Sequence, residues 1–358
     1  MEYERQAVAV AAPGFLRRAY PWLRPLAQLA LAAGLLAGLL WRVDAGAVRD
    51  DLRDATLWWL PLAFAANLLS DWFRAIRWQQ FFLPMKRLGI PFLFATAVLG
   101  VASNLVLPFR GGEVVRVQVL RRRTGLGASS IVATLLSEKL MDIVAFSSFI
   151  VLGLLLFDEA RFMWPLAVAY AVVLLAGVLG ARWLAARSQQ EASPAGQPEG
   201  RLRAWFAVEL RAFGQGLQAF RRRRAMLRVL WSSHAAWLCE ATMYYACGRA
   251  LGLDISPAVY LLVVVTATIA VSVPVTQAGL GVFELAIAGL LVAFGVSESE
   301  AAAYAIFSHV MLALPYMASG PLTAIALKVS LSDVLFLRIA PETSTGEDEA
   351  AQVSARRQ

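Results

Sequence analysis

Nine apolar segments separated by bands of arginine constrain this chain more than any other feature of its sequence. They run over residues 26–41, 55–72, 90–107, 130–157, 162–184, 227–246, 257–273, 283–294 and 301–327. Crossing a bilayer takes roughly 20 mostly apolar residues, and several of these segments meet that length. With 59% hydrophobic and only 16% charged residues, the chain is too apolar for a soluble enzyme and far too apolar for a disordered protein. The formal charge of +8 therefore does not signal nucleic acid, because the basic residues lie between apolar segments, as membrane proteins mark cytoplasmic loops. Cys239 and Cys247 share one apolar stretch, and His234 and His309 are far apart, so no disulfide framework or metal site is expected. The sequence holds no GxxxxGK[ST] motif, and no cofactor is expected.

Residues 1–25 carry Arg5, Arg17, Arg18 and Arg24 and read as a cytoplasmic N-terminus, with segment 26–41 as a signal anchor rather than a cleaved leader. Residues 26–328 form the membrane domain. Within it, 188–224 is a cytoplasmic linker followed by an Arg-rich amphipathic helix suited to a membrane surface. Residues 329–358 are expected to be a disordered cytoplasmic tail. The loop 42–54 is net acidic and suits the outside, whereas Arg74, Arg77, Lys86 and Arg87 read as an inside loop. Trp58, Trp59, Trp72 and Trp78 read as an interfacial belt.

The third segment breaks this alternation. A full crossing of 90–107 would leave Arg116, Arg121, Arg122 and Arg123 outside. The conflict vanishes if the segment descends partway, turns near Pro108–Gly112 and climbs back as a re-entrant hairpin. A second Pro/Gly break follows, Val273-Pro274 through Gly279-Leu280-Gly281 with Glu284 beyond, and it repeats the apolar–proline–glycine–glutamate order of the first. Paired interrupted segments in the two halves of a membrane protein point to a binding site. The expected fold is an all-α polytopic membrane protein. It has about seven full transmembrane helices plus two re-entrant or broken elements in an inverted repeat.

Charges inside apolar segments are costly and face a cavity or a partner. Glu138 and Asp142 are four apart and share a helix face, with Lys139 beside them; Arg110, Glu113 and Arg116 cluster at the first turn. Two compatible readings stand. In one, Arg110 pairs with Glu138 or Asp142 and ties the bundle together. In the other, Arg110, Arg116 and the amides of Gly111 and Gly112 bind an anionic headgroup in a polar cavity also lined by Glu113, Glu138, Lys139, Asp142 and Glu284. Glu240 reads as an interhelix contact.

The stretch Asn104-Leu105-Val106-Leu107-Pro108-Phe109-Arg110-Gly111-Gly112-Glu113-Val114-Val115-Arg116 resembles the N-x-x-x-P-x-R-x-G-E-x-x-R signature of the lysylphosphatidylglycerol synthase transmembrane, or UPF0104 flippase-like, family. Glu138-Lys139-Leu140-Met141-Asp142 is similar to its E-R-x-x-D element, with Lys139 for arginine. Gln277–Glu284 resembles its G-G-x-G-x-x-E element, with Ala278 for a glycine. Arg74-Ala75-Ile76-Arg77-Trp78 matches a basic-aromatic helix end, and His309 stands where arginine is expected. The resemblance implies a multi-pass protein of the bacterial inner membrane with both termini cytoplasmic, standing alone without an aminoacyl transferase domain. It implies lipid binding at Asn104, Pro108, Arg110, Gly111, Gly112, Glu113, Arg116, Glu138, Lys139, Asp142, Gly279, Gly281, Glu284 and His309. The expected activity is translocation or headgroup binding of an anionic phospholipid, a polyprenyl-phosphate-linked lipid or a hopanoid, in partnership with lipid- or glycan-synthesising enzymes. A membrane transferase using Glu138 or Asp142 as base, or an accessory scaffold, is the alternative.

Overall fold

The computed structural model describes residues 28, 30–41, 43–107, 111–190, 223–272, 275–330 and 333–334. Eleven helices are named here: α1 (Ala30–Trp41), α2 (Ala45–Arg53), α3 (Leu60–Phe82), α4 (Ile90–Val106), α5 (Gly112–Thr124), α6 (Ala128–Leu156), α7 (Trp164–Gln190), α8 (Arg223–Ala250), α9 (Val259–Ser272), α10 (Val282–Ala293) and α11 (Glu298–Ala326). The chain is an all-α polytopic membrane protein. The expected cytoplasmic N-terminus, the amphipathic segment 201–222 and most of the tail lie outside the described residues, as do Pro108, Arg110 and Pro274.

Local sequence sets the helix ends. Prolines open α3 and α4, where the missing N–H costs nothing. Gly125, at φ +71°, closes α5. Ser297 and Glu300 form a capping box on α11. Inside the bundle, hydroxyls such as Ser103, Ser137 and Thr96 bond the carbonyl four residues back, so each is satisfied without a partner helix.

By length and composition α6, α11 and the turn-plus-α7 segment Asp158–Gly177 can each cross a membrane, and α1 with α2 would add a fourth as a pair bent by 94°. Segment 42–54, expected as a loop, is instead mostly α2, started by Asp44, whose Oδ1 accepts from the amides of Gly46 and Ala47. Helix α3 extends through Arg74 and Arg77 to Phe82, so these two arginines are not in a loop. Arg77 is fully buried. Trp78, expected in the interfacial belt, is 1% exposed, whereas Trp58 is 86% exposed. Trp78 belongs inside because α4, α6 and α8 pack against α3 and Arg116 of α5 covers its ring.

The third segment folds as the sequence pattern demands. Helix α4 has 17 residues and α5 has 13, and they lie against each other as a helical hairpin. A Cβ on Gly112 would overlap the Gly100 carbonyl oxygen, and one on Gly100 would overlap the Arg116 stem, so the two glycines let the backbones touch. Helices α9 (14 residues) and α10 (12 residues) form a second short hairpin, joined through a 3₁₀ turn at Gln277–Gly279. The largest core cluster surrounds this second hairpin, while α7 lies at the rim with Val168, Val172, Leu175 and Leu179 exposed.

Candidate functional site

The two hairpin ends meet. Gln277 in the second turn points its Nε2 at the carbonyls of Asn104, Leu105 and Leu107, at 3.4, 3.2 and 3.2 Å. The last carbonyls of a helix have no partner of their own, so a side-chain amide there satisfies an orphan end. Beneath this junction lies a cavity of about 480 Å³. Its walls include Asn104 and Glu113 from the first hairpin, Ala278 and Gly279 from the second, and Arg116, Glu138, Lys139, Asp142, Glu240 and His309.

A charge cluster spanning four helices forms one side. Arg77 of α3 donates to Asp142 at 2.7 Å and lies 3.5 Å from Glu138. Arg116 of α5 donates to Glu138 at 2.8 Å and to Glu113 at 3.2 Å. Arg74 pairs with Glu240 of α8, and Trp237 Nε1 donates to Asp142 at 2.9 Å. Two guanidinium groups are stacked on indoles, Arg74 over Trp237 at 4.2 Å and Arg116 over Trp78 at 4.1 Å. Trp78 is itself held by donating to Thr134 at 3.0 Å. Each buried arginine of the cluster thus faces a carboxylate, and Arg74 and Arg116 each also lie on an indole, which offsets part of the cost of holding charge away from water. Asp71 completes the wall, hydrogen-bonded by the Tyr316 hydroxyl and 4.0 Å from Arg74.

The structure sorts the expected site residues. Glu113, Arg116, Glu138 and Asp142 come together as the i, i+3 and i, i+4 spacings suggested. Arg110 and the pairing expected of it with Glu138 or Asp142 lie outside the described residues; among those described, Glu138 and Asp142 are paired by Arg77 and Arg116. Lys139 is exposed and faces the cavity. The Gly112 amide, expected to be free for an anion, donates to Asn104 Oδ1 at 2.8 Å. The Asn104 side chain therefore staples the ends of α4 and α5. Gly279 and Gly281 hold φ values of +83° and +81°, so their place in the turn is conformational. Glu284 accepts from the Gly281 amide at 2.7 Å and contacts His309 Nδ1 at 2.7 Å. Glu240, as expected, is an interhelix contact, but its partner is the overlooked Arg74.

Arg74, Arg77 and Asp71 are what sequence reasoning missed as site residues. The signal was present: Asn67, Ser70, Asp71, Arg74 and Arg77 recur at helical spacing on α3, a polar stripe continuing an apolar segment. The cluster holds five carboxylates (Asp71, Glu113, Glu138, Asp142, Glu240) against four cations (Arg74, Arg77, Arg116, Lys139) among the described residues. Its three arginines are already engaged with carboxylates.

The model of the lysylphosphatidylglycerol synthase TM region matches residues 26–320. The chain is similar to a protein of Haloferax volcanii named glycosyltransferase AglD, at 26% identity over 86% of this chain, and it spans 55% of that protein's length. It is also similar to a UPF0104 membrane protein of Methanothermobacter thermautotrophicus, at 23% identity over 80% of this chain and 93% of that protein. Four sequence elements, two short hairpins and this match converge: the chain belongs to the family of the lysylphosphatidylglycerol synthase transmembrane region.

Proposed function

We propose that this protein binds a membrane lipid by its headgroup in the cavity between the two hairpins and carries that headgroup across the bilayer. One observation carries the reading: a polar, ion-paired cavity of about 480 Å³ sits inside a bundle whose rim is apolar, bounded by the ends of both hairpins. That volume suits a headgroup, while acyl chains would stay among exposed apolar side chains such as those of α7. In this reading about seven helices span, both termini face the cytoplasm of a bacterial inner membrane, and the hairpins enter from opposite sides. The carboxylates hold the arginines extended, and an incoming phosphate exchanges places with a carboxylate rather than meeting a bare charge. An uncharged or cationic headgroup group would instead meet Lys139 or the surplus carboxylate.

A group-transfer reading draws support from the glycosyltransferase name of the Haloferax relative. It is weaker, because Glu138 and Asp142, the side chains it needs as base, are each engaged by arginine. Partnership with lipid- or glycan-synthesising enzymes fits either reading.

The test is reconstitution in liposomes carrying fluorescent phosphatidylglycerol, with dithionite quenching to follow leaflet sidedness. Wild-type protein should speed exchange, and Arg116→Ala and Glu138→Gln should slow it at least about tenfold, the equivalent of about 1.4 kcal/mol in the barrier. Unchanged exchange in both folded variants would sink the cavity reading. A change in lipid mass rather than sidedness would favour group transfer.

A further inference from the structure

The strongest feature that lipid binding alone does not use is the contact set of His309 on α11. Its Nδ1 lies 2.7 Å from Glu284 Oε1 and its Nε2 lies 3.2 Å from the Ala278 carbonyl oxygen. The ring is 8% exposed and stacks on Phe283 at 4.2 Å, which fixes its plane. A carboxylate and a carbonyl are both acceptors. A neutral imidazole has a single N–H and can satisfy only one of them. Its other nitrogen would turn a lone pair toward an oxygen. Both contacts become hydrogen bonds only when this group holds one proton more than a neutral imidazole beside an ionised carboxylate, whichever of the two side chains carries it.

The far end of the contact is under backbone strain. Ala278 sits at φ +54°, in the left-handed region that disfavours a residue with a side chain. The Ala278 carbonyl is held by His309, and neighbouring Gln277 is held by the carbonyls that end α4. Releasing His309 removes a restraint on a residue already poised to relax. The second hairpin tip forms part of the cavity wall and its seam with the first hairpin.

From this geometry we infer that Glu284 and His309 form a proton-operated latch: a proton bound between them closes the second hairpin tip against the first, and its loss frees the tip. The sign follows from proton counting. The closed tip holds the extra proton, so acid favours closure and the latch weakens when that proton is lost. Glu284 is the only ionisable residue of α10, and α4 contributes none. From α3, Asp71 and Arg74 face the same cavity; from α8, Glu240 does. These three are engaged with one another and with Tyr316 rather than with His309. On α2, Asp51 feels the like charge of Glu300, at the N-terminal end of α11 and away from His309.

The latch can be read without any lipid, so its failure and that of the lipid reading are separable. Its use in gating lipid rests on that reading. Hydrogen–deuterium exchange would be measured on the full chain in nanodiscs at about pH 5.5 and about pH 8.5, corrected for intrinsic rates, in peptides covering 275–285 and 97–107. Peptides from α6 report global folding. Wild-type protection of the tip should fall about tenfold or more between the two pH values, the equivalent of one hydrogen bond to a charged group. His309→Arg supplies two donors at every pH and should keep the tip protected throughout. His309→Gln should leave it open at both. Wild-type protection independent of pH would overturn the latch, as would a pH response surviving in His309→Gln. If His309→Gln does not fold, wild type and His309→Arg still decide.

Discussion

The two hairpins resemble each other in sequence and differ in what their glycines do. In the α4–α5 hairpin, Gly100 and Gly112 are there for the space they leave, because a Cβ on Gly112 would occupy the position of a backbone oxygen. In the α9–α10 hairpin, Gly279 and Gly281 hold positive φ, Gly281 also leaves room for Leu35 of α1, and the hairpin's own crossing is made by larger side chains. The first hairpin is also clamped by charge, through Arg116 and Glu138, whereas the second is held by Gln277, Glu284 and His309. Close packing resists any added atom, while a strained turn depends on replaceable hydrogen bonds. The first hairpin is therefore built as a fixed wall and the second as the part able to move.

That contrast can be broken by substitution. Gly112→Ala should be the most damaging, about 3 kcal/mol, since the overlap is with backbone rather than a side chain that can turn away. Thermal unfolding in detergent measures it, and a loss under about 1 kcal/mol would refute the close crossing. Arg116→Met should cost about 2 kcal/mol by leaving Glu113 unpaired and Glu138 with Arg77 alone. The double variant with Glu138→Gln should recover part of that loss, which separates ion pairing from packing. Gln277→Leu should cost about 1 kcal/mol and raise exchange at 97–107, the α4 end whose carbonyls it frees. Ala278→Gly should do the opposite of Gly112→Ala and stabilise by up to about 1 kcal/mol, because it relieves φ +54°. If both glycine–alanine exchanges had the same sign, the two hairpins would not differ as described.

Much of the site was legible in advance. The spacing of Glu138 and Asp142 placed both on one face of α6, and the surplus of arginine after Gly112 required the chain to turn back near residue 110. The partners were not legible. Arg77 reaches Asp142 across 65 positions of sequence, and no local pattern encodes such a contact. Arg74 and Arg77 read as the end of a span because a cation in hydrocarbon is costly alone. They are inside because α6 and α8 bring carboxylates and indoles to meet them. Trp78 was misplaced for the same reason: a tryptophan beside arginines looks interfacial until its neighbours enclose it.

By itself the sequence determined the class of the molecule, most of its apolar helices and the two breaks, since apolar length, arginine placement and the Pro/Gly interruptions act through local geometry and the cost of charge in lipid. Only the tertiary structure decided which buried charges pair, that the hairpin ends meet through Gln277, and that His309 lies between two acceptors. These are contacts between distant segments, set by how whole helices pack rather than by any stretch of chain alone.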